Sequence, residues 1–299
     1  MILVFGGNGQ LGQELVSAAA AARAPLTALA RKEADITDAA AVTAALAAYR
    51  PSLVVNAAGY TKVDLAETNA PAATAANAHG PAIVAGACAE TDIPLLHIST
   101  DYIFDGKKPE PYCETDPVAP LSVYGRTKAA GEAAVRKILR RHIILRTAWI
   151  YGEFGHNFLK TMVRLARECD ELRVVADQHG SPTSTRQLAA MILQIAPQLT
   201  ADADVWGTYH FTAAGATSWH GFAAAIVAAQ APLTGRAPKV IAITTAEYPA
   251  AAARPANSLL DCSRFKRVFG FQGEPWADET AAITQAVVLA QQRTAAHVA

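Results

Sequence analysis

The chain has 299 residues, 52% of them hydrophobic and 17% charged, which is enough for a large core in one or two closely joined domains. Its formal net charge is zero, which argues against nucleic acid or an anionic membrane surface as a partner. We expect neither a signal peptide nor a membrane span, because the chain opens on a strand-like segment and no apolar run reaches about 18 residues.

The N-terminal segment predicts a turn that binds a dinucleotide. Residues 2–5 form a short apolar run typical of a buried parallel strand, and the run GGNGQLG at 6–12 leads into an apolar-periodic helix over 13–22. In this setting, glycines allow a tight turn and let a pyrophosphate approach the N-terminus of the helix. The alternative is a tight turn between strand and helix that binds nothing.

The end of the second predicted strand, over 26–30, bears on the choice of cofactor. NAD-preferring proteins commonly end this strand with an acidic residue that binds the ribose 2′-hydroxyl. Here the strand ends on Ala30, and the basic residues Arg31 and Lys32 that follow would accommodate a 2′-phosphate. We therefore expect NADPH, with NADH possible. The alternative is that Arg31 and Lys32 belong to a solvated loop.

Strand-like and helix-like segments continue to alternate through the first half of the chain. Further buried strands are predicted over 53–56, 95–99 and 142–146. The helices between them are rich in Ala, and the longest is predicted over 72–90. This alternation predicts an α/β fold with a Rossmann-type doubly wound parallel sheet. We expect Asp64 and Glu67, in the helical segment after the third strand, to lie on the surface.

Tyr124 and Lys128 have the spacing of a device for proton transfer. Residues four apart lie on one face of a helix, and a nearby ammonium lowers the pKa of a Tyr hydroxyl from its ordinary value of about 10. Thr100, at the end of the strand over 95–99, would supply a second hydroxyl to the same substrate oxygen. Together these side chains could deliver a proton to a carbonyl. The alternative is an ordinary pair of residues on a solvated face.

The regular alternation loosens after residue 152. Helices are still predicted over 157–169, over 218–231 and from Trp276, and strands over 172–175, 208–211 and 239–243. Two polar, turn-rich loops over 177–183 and 254–258 are too constrained to be plain linkers. We expect a dinucleotide-binding domain over 1–152, to which later segments return. A smaller α/β C-terminal domain over 153–299 would mainly bind the substrate.

Several motifs together resemble the extended short-chain dehydrogenases/reductases and, within them, the dTDP-4-dehydrorhamnose reductase family. The resemblance covers nearly the whole chain. It rests on GGNGQLG at 6–12, VVNAAGYTKVDLAE at 54–67, STDYIFDG at 99–106, ETDPVAPLSVYGRTK at 114–128, RTAWIYG at 146–152, NFLKTM at 157–162, DQHGSPT at 177–183 and RPANSLLD at 254–261. The first and fourth runs are shared across extended reductases, epimerases and dehydratases. The Thr-Asp-Tyr, Trp-x-Tyr-Gly and Asp-Gln-x-Gly-x-Pro-Thr segments are more specific to this reductase group.

The resemblance implies hydride transfer from NADPH to the C4 carbonyl of a dTDP-linked 4-keto-6-deoxyhexose. The implied catalytic residues are Thr100, Tyr124 and Lys128. The implied cofactor contacts are Gly6, Gly9, Gln10, Leu11, Gly12, Arg31, Asp35, Ile36, Ala58, Gly59, Tyr60, Tyr124 and Lys128. The implied substrate contacts are Thr100, Asp101, Trp149, Asn157, Gln178 and Arg254. In these roles the Trp149 indole packs on the sugar and Arg254 binds the diphosphate. The alternatives are a core residue and a surface residue, respectively.

The sequence departs from the family at a magnesium site through which some members dimerise. That site is built of Glu residues, and only Glu14 matches here, since Arg186 takes the second position. We therefore expect no metal site, and a monomer or weak homodimer. The scattered cysteines lack ligand spacing and should be free thiols in a reducing cytosol: Cys88, Cys113, Cys169 and Cys262. We expect a cytoplasmic enzyme whose partner is a dTDP-sugar.

Three other functions stay open at this point. The first is another extended nucleotide-sugar enzyme, an epimerase or a 4,6-dehydratase. A dehydratase is expected to carry acidic groups beside the catalytic Thr, and Asp101 follows Thr100 but no Glu does. The second is a non-catalytic regulatory subunit of the same fold, against which the intact Thr100, Tyr124 and Lys128 argue. The third is an NADP-binding sensor, which would bind the cofactor without consuming it.

Overall fold

The computed structural model describes residues 1–200 and 203–298 as an alternation of strands and helices. The strands are β1 (Ile2–Phe5), β2 (Leu26–Leu29), β3 (Leu53–Asn56), β4 (Leu95–Thr100), β5 (His142–Thr147), β6 (Ile150–Tyr151), β7 (Glu171–Val175), β8 (His179–Gly180), β9 (Thr183–Ser184), β10 (Gly207–His210), β11 (Thr217–Ser218) and β12 (Lys239–Ile243). The helices are α1 (Gln10–Ala22), α2 (Ala39–Tyr49), α3 (Val63–Thr68), α4 (Ala70–Thr74), α5 (Gly80–Glu90), α6 (Val123–Ile138), α7 (Phe158–Glu168), α8 (Thr185–Ile195), α9 (Trp219–Thr234), α10 (Ser263–Phe269) and α11 (Trp276–Val298).

Six strands form one parallel sheet in the spatial order β10-β5-β4-β3-β1-β2. This confirms the predicted Rossmann-type doubly wound fold. The strand order reverses between β1 and β3, and sheets of this type bind ligands at such a reversal, beyond the carboxyl ends of the strands. The loops after β1 and β3 meet there, since a Cβ atom on Gly6 would lie 2.7 Å from the backbone nitrogen of Ala58.

The sheet is buried on both faces, as its nearly continuous apolar strands require. Helices α1 and α8 cover one face, where Leu15 and Ile192 pack against strand residues. Helices α2, α5 and α6 cover the other face. Each fully buried aliphatic side chain contributes roughly 1.5–3 kcal/mol. Because α8 and β10 come from beyond residue 152, later parts of the chain return to this sheet.

Residues from Ala148 onward also build a second, smaller core. Side chains of α7, α9 and α11 meet there, and β7 pairs in parallel with β12 beside them. The two polar loops predicted over 177–183 and 254–258 lie against each other. His179 N donates to Ala256 O at 2.8 Å, and Ser258 N donates to His179 O at 2.9 Å. These two loops thus form one paired edge of the smaller unit.

The single helix predicted over 72–90 is instead three consecutive segments. A π-helical turn over Ala75–His79 separates α4 from α5. Such turns occur mostly as short interruptions of α-helices, frequently at functional sites. All four cysteines are free thiols. Among the described residues, no helix has the length and apolar character needed to cross a membrane.

Candidate active site

Thr100, Tyr124 and Lys128 come together where β4 ends and α6 begins. β4 carries Thr100 to the carboxyl edge of the sheet, where its hydroxyl accepts a hydrogen bond from Tyr102 N at 3.2 Å and contacts Asp101 Oδ1 at 3.1 Å. The α6 helix is capped by Ser122, whose hydroxyl accepts from Gly125 N at 3.1 Å. Tyr124 and Lys128 therefore lie in the first two turns of α6 and face β4.

The electrostatics of Tyr124 differ from the sequence-based expectation. Burial raises the pKa of Tyr124 to about 12, and a hydrogen bond with Thr100 acts in the opposite direction. The ammonium of Lys128 donates to the carbonyl of Ile98 at 2.6 Å instead of acting on the Tyr hydroxyl. The expectation that Lys128 lowers the pKa of Tyr124 is thus wrong for this arrangement. At neutral pH the phenol keeps its proton, as a proton donor must.

Burial also shifts the pKa values of the two charged neighbours. It lowers the pKa of Lys128 to about 8, which the negative charge of Glu132 partly opposes. It raises the pKa of Asp101 to about 7, which hydrogen bonds from Ser258 and Thr100 partly oppose. Among the described residues, Oδ2 of Asp101 has no hydrogen-bond partner although it is buried. A carboxyl oxygen in that position is suited to bind a hydroxyl group of a ligand.

The glycine-rich turn after β1 has the shape of a dinucleotide cradle. The α1 helix has no side-chain cap and no acidic residue in its first turn, so its N-terminus can attract a phosphate. Gly6 has a φ of +94°, and a Cβ atom on Gly12 would lie 2.3 Å from Gly6 O. Only glycine fits these two positions without a shift of the backbone.

The side chains of two members of this turn contact other parts of the protein. The side-chain oxygen of Gln10 accepts a hydrogen bond from Asn157 Nδ2 at 2.9 Å. The side chain of Leu11 is buried in the core under the sheet. Gly9, the N-cap residue, has an extended backbone and leads directly into the helix.

The end of β2, where the 2′-phosphate of NADPH is expected, is open to solvent at Arg31. The Arg31 side chain is 85% exposed and pairs with Asp35 at 2.8 Å. Glu33, which the sequence argument did not single out, accepts a hydrogen bond from Ala30 N at 2.7 Å. The side chain of Ile36 is buried in the core and only its backbone can contact a cofactor.

Asn77 is a site residue that the sequence argument missed. It lies fully buried in the π-helical turn and clamps the loop after β3: it accepts from Tyr60 N at 2.7 Å and donates to Tyr60 O at 3.0 Å. It also donates to Thr127 Oγ1 at 3.2 Å, on α6. The loop that contains Ala58, Gly59 and Tyr60 is thereby fixed relative to Lys128. The sequence signal for such a role is that Asn77 is the one amide side chain in the Ala-rich segment over 72–90.

Asp64 and Glu67 lie at the surface, as expected, but both are only partly exposed and bind residues far from α3 in the chain. Glu67 Oε1 accepts from Val123 N at 2.7 Å and so holds the start of α6. Asp64 binds Arg254 through two oxygens, with Nη2–Oδ2 at 2.7 Å and Nη1–Oδ1 at 3.1 Å. Arg254, expected as a cation for a diphosphate, is therefore already paired across the site.

Trp149 is a core residue of the smaller unit in this structure. Its indole is 9% exposed and stacks on Trp219, with 3.6 Å between the ring centres and 8° between the planes. The ring also closes over Gly180, where a Cβ atom would lie 2.5 Å away. Both neighbours cover the ring, which favours a core residue over an open indole platform for a sugar. Its φ of +49° is uncommon for a bulky residue.

Two further expected substrate residues are used for internal contacts. The amide of Asn157 caps α7 by accepting from Lys160 N at 3.0 Å, and it donates to Gly152 O at 2.8 Å. Gln178 is buried and donates to Thr245 Oγ1 at 3.0 Å. Both side chains position the loops around the site, which leaves little capacity for direct contact with a ligand.

The residues compared with the family's magnesium site have protein partners. Glu14 Oε2 accepts from Thr185 at 2.7 Å, and Arg186 pairs with Glu153 at 2.8 Å. Within 1–200 and 203–298, no group of three or more His, Cys, Asp or Glu residues could hold a metal ion.

Comparison with known proteins gives one consistent family. The family model described as "RmlD substrate binding domain" matches residues 1–289. A dTDP-4-dehydrorhamnose reductase from Sinorhizobium fredii is 41% identical over 290 residues, which cover 96% of this chain and 98% of that protein. A solved dTDP-4-dehydrorhamnose reductase from Clostridium acetobutylicum is similar with a TM-score of 0.88 and 37% identity, covering 96% of this chain and 99% of the other. Another, from Bacillus anthracis in complex with NADP, has a TM-score of 0.86 and 36% identity, covering 94% and 96%.

Proposed function

This chain belongs to the family of the RmlD substrate binding domain, and we propose that it reduces the C4 carbonyl of dTDP-4-dehydrorhamnose with NADPH to give dTDP-rhamnose. The observation that carries the proposal is the meeting of Thr100, Tyr124 and Lys128 beside the glycine-rich cradle. Relatives of this chain are dTDP-4-dehydrorhamnose reductases, and the Bacillus anthracis structure contains NADP. The experiment that tests the proposal is turnover of this sugar nucleotide with consumption of NADPH.

The chain's own residues would hold the cofactor along the switch point of the sheet. The free N-terminus of α1 would bind the diphosphate, and the loop fixed by Asn77 would contact the nicotinamide half. Arg31 is exposed at the end of β2, where a 2′-phosphate would lie. NADPH, when bound, supplies the hydride that C4 accepts.

Proton delivery follows from the protonation states at the site. The high pKa of Tyr124 keeps the phenol protonated, and its hydroxyl donates that proton to the C4 oxygen as negative charge develops there. Thr100 donates a hydrogen bond to the same oxygen and lowers the cost of that charge. The ammonium of Lys128, one helical turn away, is fixed by the Ile98 carbonyl, where it would donate to the ribose of the nicotinamide half. This division of roles uses each of the three side chains for one task.

We expect Arg31→Ala to lower the preference for NADPH over NADH. The guanidinium binds a 2′-phosphate that only NADPH carries, so kcat/KM with NADPH should fall by roughly ten- to a hundredfold, as for a charged hydrogen bond, and kcat/KM with NADH should change little. Steady-state kinetics with the two cofactors measures the ratio. A wild-type enzyme that clearly prefers NADH would contradict the assignment.

We expect Arg254→Ala to raise KM for the sugar nucleotide by roughly tenfold, because a cation for the diphosphate is lost. The dissociation constant for NADPH should stay nearly unchanged. Asp64→Ala is the matched control, since it breaks the same ion pair but leaves the cation. If both variants raised KM equally, the pair would act only as a structural link and Arg254 would not bind the diphosphate.

Further parts of the proposal rest on the sequence. We propose a cofactor domain over 1–152, completed by segments that return to it, and a mainly substrate-binding domain over 153–299. We propose a cytoplasmic monomer or weak homodimer that binds neither nucleic acid nor membrane. The zero formal net charge supports the absence of such partners.

A further inference from the structure

A buried carboxylate extends the row of site residues on α6. Tyr124, Lys128 and Glu132 follow one another at intervals of four residues and so lie on one face of the helix. Glu132 is fully buried, one turn beyond Lys128. It touches neither of the catalytic hydroxyls, and the mechanism proposed above does not use it.

Glu132 is the centre of a hydrogen-bonded cluster that joins α6 to the sheet. Arg146, on β5, grips both of its oxygens, with Nε–Oε1 at 3.0 Å and Nη2–Oε2 at 2.8 Å. Ser99, on β4, donates to Oε1 at 2.6 Å, and Arg136 donates to Oε2 at 3.0 Å. Burial raises the pKa of Glu132, but these donors more than offset the effect and the group stays ionised.

The contact with Ser99 connects this cluster directly to the proposed catalytic residues. Ser99 stands between Ile98, whose carbonyl accepts the Lys128 ammonium, and Thr100. The Glu132 carboxylate thus fixes the end of β4 against α6 at Ser99. The residues on either side of Ser99 make the contact with Lys128 and the contact with Tyr124. A shift at Ser99 would move both together.

The negative charge of Glu132 offsets the positive charges around it and so favours the protonated form of Lys128. Arg146 on β5 and Arg136 on α6 are the cations in the cluster. Burial keeps two neighbouring histidines neutral, as it lowers the pKa of His97 on β4 well below its usual range and that of His210 on β10 to about 3. Without the carboxylate, the buried guanidinium of Arg146 would lose its counter-ion and would repel the Lys128 ammonium.

We propose that Glu132 is a positioning residue for the reduction: it fixes β4 against α6 through Ser99, and its charge keeps Lys128 protonated. This rests on the proposed function only where turnover is measured. A buried ion pair is weak support for stability in itself, because desolvation of the two charges cancels much of their attraction. A role in setting the state of Lys128 gives a reason for a charged group at this depth.

The direct test is the titration of Lys128 in the full chain without ligands. Lysine labelled with ¹³C and ¹⁵N allows the ε-amino group to be followed by NMR, with Lys128→Met to assign its signal. In Glu132→Gln, which preserves shape but removes the charge, the midpoint should fall by about one pH unit, a tenfold change in the protonation equilibrium. In Glu132→Gln combined with Arg146→Met, which removes both charges, the midpoint should return toward that of the wild type.

Turnover supplies the second readout. For Glu132→Gln, the alkaline limb of kcat against pH should move to lower pH by the same amount, with KM for the sugar nucleotide little changed. Glu168→Gln is the matched control, because it removes the carboxylate of an exposed i,i+4 pair with Arg164 on α7. Glu168→Gln should change neither the NMR midpoint of Lys128 nor the pH dependence of kcat.

The outcomes separate this inference from the proposed function. If the wild type did not turn over the sugar nucleotide, the proposed function would fail, while the NMR titration would still report on Glu132. An unshifted midpoint in Glu132→Gln would overturn the inference. If that variant did not fold, Ser99→Ala would decide: it should lower kcat by about tenfold at every pH with an unshifted midpoint, and an unchanged kcat would refute the positioning role.

Discussion

Replacing Tyr124 with Phe is expected to lower kcat by about 10²- to 10⁴-fold, the usual contribution of a general acid. The substitution removes the hydroxyl that we propose as the proton donor but keeps the ring, including its edge-on contact with Tyr102 at 5.9 Å. NADPH binding should therefore stay nearly intact. Single-turnover kinetics together with a cofactor titration would separate the loss of chemistry from any loss of binding.

Tyr102→Phe is the matched control for this prediction. Tyr102 is the neighbouring phenol, and its hydroxyl interacts with Arg254, away from the hydrogen bond between Tyr124 and Thr100. This variant should retain most of kcat. If Tyr124→Phe instead turned over at the wild-type rate, another group would have to donate the proton.

Trp149→Ala is expected to lower the free energy of unfolding by about 3–5 kcal/mol, as for other buried aromatic residues. The indole packs face to face on Trp219 and closes over Gly180, so its removal leaves a cavity in the smaller core. Because this core supports the loops around the site, binding of NADPH and binding of the sugar nucleotide should both weaken. Denaturant unfolding beside the two binding titrations measures the effect.

A double-mutant cycle with Trp219→Ala checks the cause of that loss. Stacked aromatic pairs are coupled by roughly 0.5–1.5 kcal/mol, so the effects of the two single variants should not add. If Trp149→Ala left the free energy of unfolding unchanged and raised only KM for the sugar nucleotide, the indole would instead bind the sugar.

The fold was predictable because its signals are local. Short apolar runs followed by glycine or polar turns mark buried parallel strands, and the run over 6–12 follows the first of them. The closeness of Thr100, Tyr124 and Lys128 was predictable for a similar reason. Each lies at a strand end or a helix start, where the sheet brings distant segments to one edge.

The partners of these residues could not be predicted, because they are set by contacts between segments far apart in the chain. Asp64 and Arg254 are separated by 190 residues and still form a two-point ion pair. Asn77 and Thr127 are separated by 50 residues. Nothing in the local pattern distinguishes a carboxylate that pairs across the site from one on a solvated helix.

The pKa of Tyr124 was misjudged for a physical reason of the same kind. The spacing of Tyr124 and Lys128 predicts that they share a helix face, but not how deeply that face is buried. Burial disfavours the charged form of both groups, raising the pKa of Tyr124 and lowering that of Lys128. The Ile98 carbonyl, which binds the ammonium, belongs to the backbone and leaves no mark in the sequence.

The most direct test of the proposed function is to incubate the protein with dTDP-4-dehydrorhamnose and NADPH and to follow the absorbance of NADPH. We expect one NADPH to be consumed for each dTDP-rhamnose formed, with the product identified by chromatography and mass spectrometry. Release of the sugar nucleotide unchanged, with no NADPH consumed although both ligands bind, would contradict the account and favour a binding or regulatory role.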